Sequence, residues 1–254
     1  MKLKGKIAVI TGGSRGLGRN TALHLADAGS DIIFTYYRNE AAADSTVADI
    51  TEKGQKAFAL QLDTRKIEDF HTFKDKLRNC LKENFGRDSF DFLVNNAGFG
   101  REGMITDVTE EDFDDLLNVH FKGVFFLTQK LLDSISDGGR IINVSSGLAR
   151  FSIPGYAAYA CMKGAVEVFT RYLAKELGPR KITVNTLAPG AVNTDFNKEN
   201  FEAMPKVVEF IASQTALGRV GESDDIGGAI TSLCLDEMAW VNGQRIEASG
   251  GMFT

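Results

Sequence analysis

A tyrosine and a lysine stand four positions apart in Tyr159-Ala160-Cys161-Met162-Lys163. On a helix, positions i and i+4 share one face, with Cβ atoms about 6 Å apart. A free tyrosine titrates near ~10 and is a poor acid–base group at neutral pH. A nearby ammonium favours the phenolate and lowers that value, so the pair has the chemistry of a proton donor to a developing alkoxide. The bare pattern equally describes a surface tyrosine beside a lysine. Ser146 tips the balance, because it closes the apolar run Ile141-Ile142-Asn143-Val144. The carboxyl end of a strand is where open α/β sheets bind ligands. Cys161, two residues from Tyr159, points elsewhere on the helix and reads as packing.

A second site candidate is Thr11-Gly12-Gly13-Ser14-Arg15-Gly16-Leu17-Gly18, which follows the first apolar run. Glycines let the backbone turn tightly and approach a pyrophosphate, and the helix that follows offers free N–H groups and a positive dipole end. In isolation such a loop is also an ordinary tight turn. Its place between a strand and a helix favours the dinucleotide-binding reading. An acid at the end of the second strand would select NAD through the ribose 2′-hydroxyl. Here the segment is Phe34-Thr35-Tyr36-Tyr37-Arg38-Asn39, with no carboxylate. Arg38 and Arg15 suit a 2′-phosphate, which guanidinium binds bidentately, and the expected cofactor is NADPH.

The elements that must position these residues alternate in period. Strands are expected at 6–11, 31–36, 57–62, 90–94, 140–144, 182–187 and 245–248. Helices are expected at 17–28, 40–52, 67–84, 109–134, 157–177, 201–213 and 224–235. Thr109 caps the long fourth helix, with Asp112 as a capping-box-like partner. Strands apolar on both faces that alternate with helices predict a single-domain α/β fold. Its core is a Rossmann-type doubly wound parallel sheet of about seven strands, with helices on both faces. No linker, repeat or low-complexity tract interrupts the 254 residues.

Composition narrows the function classes. The net charge of −5, with lysine and arginine scattered, argues against a nucleic-acid surface. No stretch approaches the ~20 apolar residues of a membrane span. Three separated cysteines, Cys80, Cys161 and Cys234, without a C-x-x-C, fit free thiols in a reducing cytoplasm. His24, His71 and His120 are isolated, so no metal site is expected.

The spacing Gly12-x-x-x-Gly16-x-Gly18 resembles the T-G-x-x-x-G-x-G of the short-chain dehydrogenase/reductase family, and the resemblance extends over essentially the whole chain. It implies a hydride transfer to a carbonyl, with Tyr159 donating the proton, Ser146 orienting the oxygen, and Lys163 anchoring the ribose and tuning Tyr159. Asn118 resembles the family's catalytic asparagine, which holds a water linked to Lys163; it also reads as a polar residue at a helix kink. The cofactor set implied is Gly12, Ser14, Arg15, Gly16, Leu17, Gly18, Arg38, Asp63, Asn95, Ala97, Gly98, Tyr159, Lys163, Pro189, Gly190, Val192 and Thr194. Asp63 resembles the acid that bonds the adenine amino group, or else caps the next helix. Asn95-Asn96-Ala97-Gly98 resembles the family's N-N-A-G segment, and Pro189 to Thr194 the segment that fixes the carboxamide.

The overall pattern, with Trp240-Val241-Asn242-Gly243-Gln244 and Gly250-Gly251-Met252, is similar to the 3-oxoacyl carrier-protein reductases. Arg180 could meet an acidic carrier, whereas Asp137 would repel one. A free ketone, a polyol or a steroid-like molecule is the other substrate class. A lid over about 193–220 brings Phe196, Phe201, Met204, Val207, Val208 and Phe210 toward a partly apolar pocket or packs them on the core. The family analogy implies a homotetramer through the helices at 109–134 and 157–177. Two further functions compete with the reductase: an alcohol or polyol dehydrogenase, and a non-catalytic NADPH-binding sensor or assembly protein.

Overall fold

A computed structural model describes residues 1–194, 201 and 205–254. The chain runs β1 (Ile7–Ile10), α1 (Gly16–Asp27), β2 (Asp31–Tyr36), α2 (Glu40–Glu52), β3 (Ala57–Gln61), α3 (Phe70–Phe85) and β4 (Phe90–Asn95). It continues through α4 (Glu110–Leu117), α5 (Gly123–Leu131), β5 (Ile135–Val144), α6 (Ala157–Glu176), β6 (Thr183–Pro189), β7 (Val192–Asn193), α7 (Pro205–Ser213), β8 (Gly221–Glu222), α8 (Ser223–Leu233) and β9 (Arg245–Ala248). Seven strands form one parallel sheet in the order β3-β2-β1-β4-β5-β6-β9. The order reverses between β1 and β4, which opens the crevice where such sheets take ligands.

β1 shows how the sequence builds both faces. Ile7 and Val9 point to one side, into a core with Phe70, Leu77, Leu131 and Val184. Ala8 and Ile10 point to the other, among Ala22, Leu25, Phe34 and Ile230. Each buried Leu, Ile or Phe side chain contributes about 1.5–3 kcal/mol by leaving water. Truncating Leu77, fully buried, to alanine would cost about 2–5 kcal/mol.

Three local differences from the sequence reading bear on the site. The helix expected at 109–134 starts as predicted, with Thr109 Oγ1 accepting from the Asp112 amide at 3.1 Å. It is then interrupted by a π-turn at Asn118–Lys122 before α5. Such one-residue insertions rotate the side chains that follow. β5 starts five residues earlier than expected, its pairing with β4 shifting register between Phe90 and Phe92. A small parallel pair, Val192–Asn193 with Gly221–Glu222, is too short to leave a periodic signal. It ties the segment after β6 to the start of α8.

Candidate active site

Thr11 and Asn96 hold the crevice open at the switch point. The Thr11 hydroxyl accepts from the backbone amides of Asn96 and Ala97, both at 2.9 Å. The Asn96 side-chain amide donates to the carbonyls of Thr11 at 3.0 Å and Gly12 at 3.2 Å. A cavity of about 820 Å³ runs outward from there. Gly12, Ser14, Arg15, Gly16, Leu17 and Gly18 line one wall, Ala97 and Gly98 another, and Pro189, Gly190, Val192 and Thr194 a third.

The glycine loop fits a pyrophosphate on this chain's own geometry. Gly12 has φ +69°, and a Cβ on Gly18 would lie 2.1 Å from the Gly12 carbonyl oxygen, so the loop can close only on glycine. The first turn of α1 has no side-chain cap hydrogen bond and no acid, in contrast to α2, capped by Asn39, and α4, capped by Thr109. Its free N–H groups and dipole are left for an anion.

Beside the end of β2, Tyr37 lies between two guanidiniums, Arg38 at 4.4 Å and Arg65 at 5.0 Å from its ring centre. Arg38 opens onto a smaller side cavity that shares Tyr37, Asp63 and Arg65 with the main one. Sequence reasoning missed Arg65; its signal was its place two residues after Asp63. Asp63 neither caps a helix nor stands free, because it binds the Arg65 backbone amide at 3.1 Å and guanidinium at 2.9 and 3.0 Å. Burial opposes its ionisation, but the Arg65 bonds override that and hold the carboxyl below its ordinary range.

Asn95 does not face the cavity. Its amide donates to Thr128 Oγ1 at 3.0 Å and Asn143 Oδ1 at 2.8 Å, and Asn143 donates to Thr170 at 2.9 Å. This buried polar chain supports the floor between β4, β5 and α6. Asn96, one position on and just past β4, is the asparagine that lines the cavity.

At the far end, Ser146, Tyr159 and Lys163 converge. Ser146 follows β5, and its hydroxyl accepts from the Leu148 amide at 3.2 Å and bonds Tyr159. Lys163 Nζ donates to the Val144 carbonyl at 2.8 Å and lies 5.6 Å from the centre of the Tyr159 ring. Burial pushes the Tyr159 hydroxyl up to about 12, partly offset by the Ser146 bond, and pushes the Lys163 ammonium down to about 8. The expected lowering of Tyr159 by Lys163 is thus outweighed within the chain itself. The ammonium sits over the Tyr159 ring and donates a hydrogen bond to the Val144 carbonyl.

Asn118 opens the π-turn, its carbonyl accepting from the Gly123 amide, and it is not among the cavity-lining residues. The polar residue that the turn brings to the cavity is His120, 1% exposed. Its ring packs edge-on against Tyr159 at 5.0 Å. An isolated histidine in the sequence carried no signal beyond its position two residues past Asn118.

Beyond Tyr159 the wall turns aromatic, with Phe99, Phe151, Tyr156, Phe201 and Phe210. Of the expected lid residues, Phe201, Val207 and Phe210 line the cavity and Val208 does not, while Phe196 and Met204 lie outside the described residues. Arg180 is at the opposite end of the sheet, before β6. It binds Asp137 at 2.7 Å together with the carbonyls of Leu132 and Ile135. Neither Arg180 nor Asp137 reaches the entrance.

A family model described as enoyl-(acyl carrier protein) reductase matches residues 12–253. The tetrahydroxynaphthalene reductase PfmaG of Pestalotiopsis fici is 38% identical over 97% of this chain and 91% of its own. The promiscuous reductase LugOII, which catalyses keto-reduction at C1 in lugdunomycin biosynthesis, superposes with a TM-score of 0.95 at 41% identity over the whole of both chains. The angucycline C-6 ketoreductase LanV, solved with bound NADP, superposes with a TM-score of 0.94 at 37% identity over 99% of this chain and 97% of its own.

Proposed function

Because this chain belongs to the short-chain dehydrogenase/reductase family, we propose that it uses its Ser146–Tyr159–Lys163 end to reduce a ketone on a fused aromatic ring system with NADPH. The carbonyl-reducing, NADP-dependent class is that of its relatives. The observation that carries the residue roles is the convergence of a serine-bonded, buried tyrosine and a buried lysine on the cavity whose other end is the glycine loop.

Gly12, Ser14, Arg15, Gly16, Leu17, Gly18, Ala97 and Gly98 would hold the phosphates and adenosine ribose, Arg38 the 2′-phosphate. Tyr159, Lys163, Pro189, Gly190, Val192 and Thr194 would hold the nicotinamide half. When bound, NADPH supplies the hydride that reaches the carbonyl carbon. Ser146 donates to the carbonyl oxygen and orients it. Tyr159, kept protonated by burial, gives its O–H proton to that oxygen as charge develops there. Lys163 lowers the cost of the phenolate that remains.

The fused-ring substrate is supported by the five aromatic side chains on the wall beyond Tyr159. A relative named for tetrahydroxynaphthalene adds to it. A carrier-bound 3-oxoacyl substrate is disfavoured, because Arg180 is committed to Asp137 at the far end of the sheet. Exposed Phe113, Phe126, Val168 and Tyr172 on α4, α5 and α6 support a homotetramer. The unpaired thiols support a cytoplasmic setting. Light scattering at four times 27.7 kDa is the expected mass, and a monomer refutes the assembly.

The deciding experiment follows NADPH consumption with tetralones and hydroxynaphthalenones, 3-oxoacyl thioesters and polyol-derived ketones. Turnover on the bicyclic ketones, faster with NADPH than NADH, is expected. Turnover on thioesters alone overturns the substrate class. Tight NADPH binding with no turnover on any member favours the non-catalytic binding protein.

A further inference from the structure

The π-turn does more than interrupt a helix. It brings one imidazole into the wall of the cavity beside the two residues assigned the proton chemistry. His120 Nε2 lies 2.8 Å from the Phe99 carbonyl oxygen and 3.4 Å from the Phe99 amide nitrogen. The shorter contact is a donated hydrogen bond, and it assigns the proton to Nε2. Nδ1 is therefore a lone-pair acceptor. It is fully buried and has no partner among the described residues. Leaving a buried acceptor unmet is destabilising.

The ring is held in that orientation from two sides. Tyr159 packs on it edge-to-face. On the other side, a Cβ on Gly98 would lie 2.6 Å from Cε1 and 3.1 Å from Nδ1, so the absence of a side chain at Gly98 makes the space for the imidazole edge. The neighbouring charge is the Lys163 ammonium, close enough to act on the ring. Burial first and that charge second hold the imidazole well below its ordinary value, so His120 is neutral at pH 7.

The other titratable groups around the pair are committed elsewhere. Glu167, one turn along α6 from Lys163, binds Arg245 at 2.7 Å. On the loop after β4, Arg101 pairs with Asp112 and Glu102 accepts from the Tyr156 hydroxyl at 3.3 Å. Asp115 on α4 lies 3.7 Å from Arg65 and 3.8 Å from Arg101. No carboxylate among the described residues pairs with Lys163, whose one hydrogen bond goes to the Val144 carbonyl. An ammonium has three donors.

We propose that His120 is a positioning residue for the proton chemistry at Tyr159: its Nδ1 accepts a hydrogen bond from one water that the Lys163 ammonium in turn donates to, and so keeps that ammonium charged. The inference rests on the reductase reading above. In each turnover the Tyr159 O–H bond breaks, its proton goes to the carbonyl oxygen and the hydride from NADPH to the carbonyl carbon. The phenolate left behind is stabilised by the Ser146 bond and, as long as it carries its proton, by the Lys163 ammonium. A neutral acceptor beside a buried ammonium favours the charged form. A cationic His120 would disfavour it.

The test compares H120F, which keeps an aromatic ring against Tyr159, with H120N, whose amide oxygen can accept. In H120F, kcat at pH 7 should fall about tenfold. The alkaline limb of kcat against pH should move about one unit toward lower pH, with the NADPH dissociation constant within about threefold of wild type. H120N should return the limb toward its wild-type position. A uniform loss at every pH, with the limb unmoved, reduces His120 to packing and overturns the proposal. A readout independent of turnover is the ring ¹⁵N spectrum, in which H120N assigns His120 among the three histidines. K163M should move its Nδ1 resonance, and an unmoved resonance also overturns the proposal. If the wild-type enzyme reduces no ketone, the reductase reading fails, while the spectrum still decides whether His120 and Lys163 are coupled.

Discussion

At one end of the cavity Tyr159, Lys163 and His120 are 9%, 5% and 1% exposed. At the other, Arg15 and Arg38 lie in solvent and the Arg65 side chain is 32% exposed. Both ends handle charge, but only the first has taken it out of water. There burial moves Tyr159 up to about 12 and Lys163 down to about 8. At the exposed end, the guanidiniums of Arg15, Arg38 and Arg65 stand in a screened environment, where each contact is worth little alone. The buried end should therefore fail sharply on one substitution, and the exposed end by degrees.

The sharpest failure belongs to Tyr159. Removing its hydroxyl in Tyr159→Phe deletes the proton donor but leaves the ring against His120. Ketone reduction should fall by about 10³-fold, within the 10²–10⁴ range of a general acid. NADPH affinity, measured by fluorescence titration, should stay within about threefold. A loss shared equally between binding and turnover would merge the two ends into one unit and break the comparison. Ser146→Ala comes next, with an expected loss of about 10²-fold in kcat, because the oxyanion loses one donor while Tyr159 keeps its place.

Lys163 separates stability from activity. Its folded value of about 8 lies below the ordinary 10.5, so between those limits the unfolded chain binds the proton more readily than the folded one. The resulting penalty, about 3 kcal/mol at most, is fully present below pH 8 and is relieved as pH rises from 8 toward 10.5. Tyr159, whose folded value lies above its ordinary 10.0, begins to act in the opposite direction above pH 10. Melting temperature should therefore rise between pH 8 and 10 in the wild type and stay flat in K163M. At pH 7 that variant should melt higher, by about 1–2 kcal/mol after the lost bond to Val144 is counted, while its turnover collapses. A flat wild-type profile would place the ammonium in water.

The two ends also differed in how well they could be read beforehand. The glycine loop, Ser146, Tyr159 and Lys163 are local signals, each set by residue type and spacing on one strand or helix, and the structure gathers all of them on one cavity. The seven-stranded sheet was legible for the same reason, since apolar runs and helical periods alternate in sequence. What escaped depends on geometry between elements. Asn95 and Asn96 are adjacent, and only the end of β4 between them decides which of them meets the loop and which the buried chain to Thr128 and Asn143. His120 replaces Asn118 at the cavity because of a π-turn, a one-residue insertion without a sequence signature. Arg65 enters through its partners Asp63 and Tyr37, brought together by the pairing of β2 with β3.

Arg38→Ser tests the exposed end directly. Losing one of the guanidiniums at a 2′-phosphate should weaken NADPH by about tenfold, roughly 1.4 kcal/mol, and leave NADH unchanged, as read by isothermal titration with each cofactor. Equal weakening of both would move Arg38 away from the 2′ position.

Tyr37 should give the smallest effect. Its ring lies between Arg38 and Arg65, and its hydroxyl accepts from the Arg65 guanidinium. A cation–π contact at an exposed site is worth about 0.5–1 kcal/mol. Tyr37→Ala should therefore lower NADPH affinity by about two- to fivefold, without changing NADH affinity or kcat. Tyr37→Phe keeps the ring and should recover most of the loss. The difference between Tyr37→Ala and wild type should shrink in high salt, where the phosphate contacts that the ring helps to aim are screened. If Tyr37→Ala instead lowers kcat with NADPH affinity intact, the exposed end is coupled to the proton chemistry across the whole cavity, and the contrast between a brittle end and a graded one does not hold.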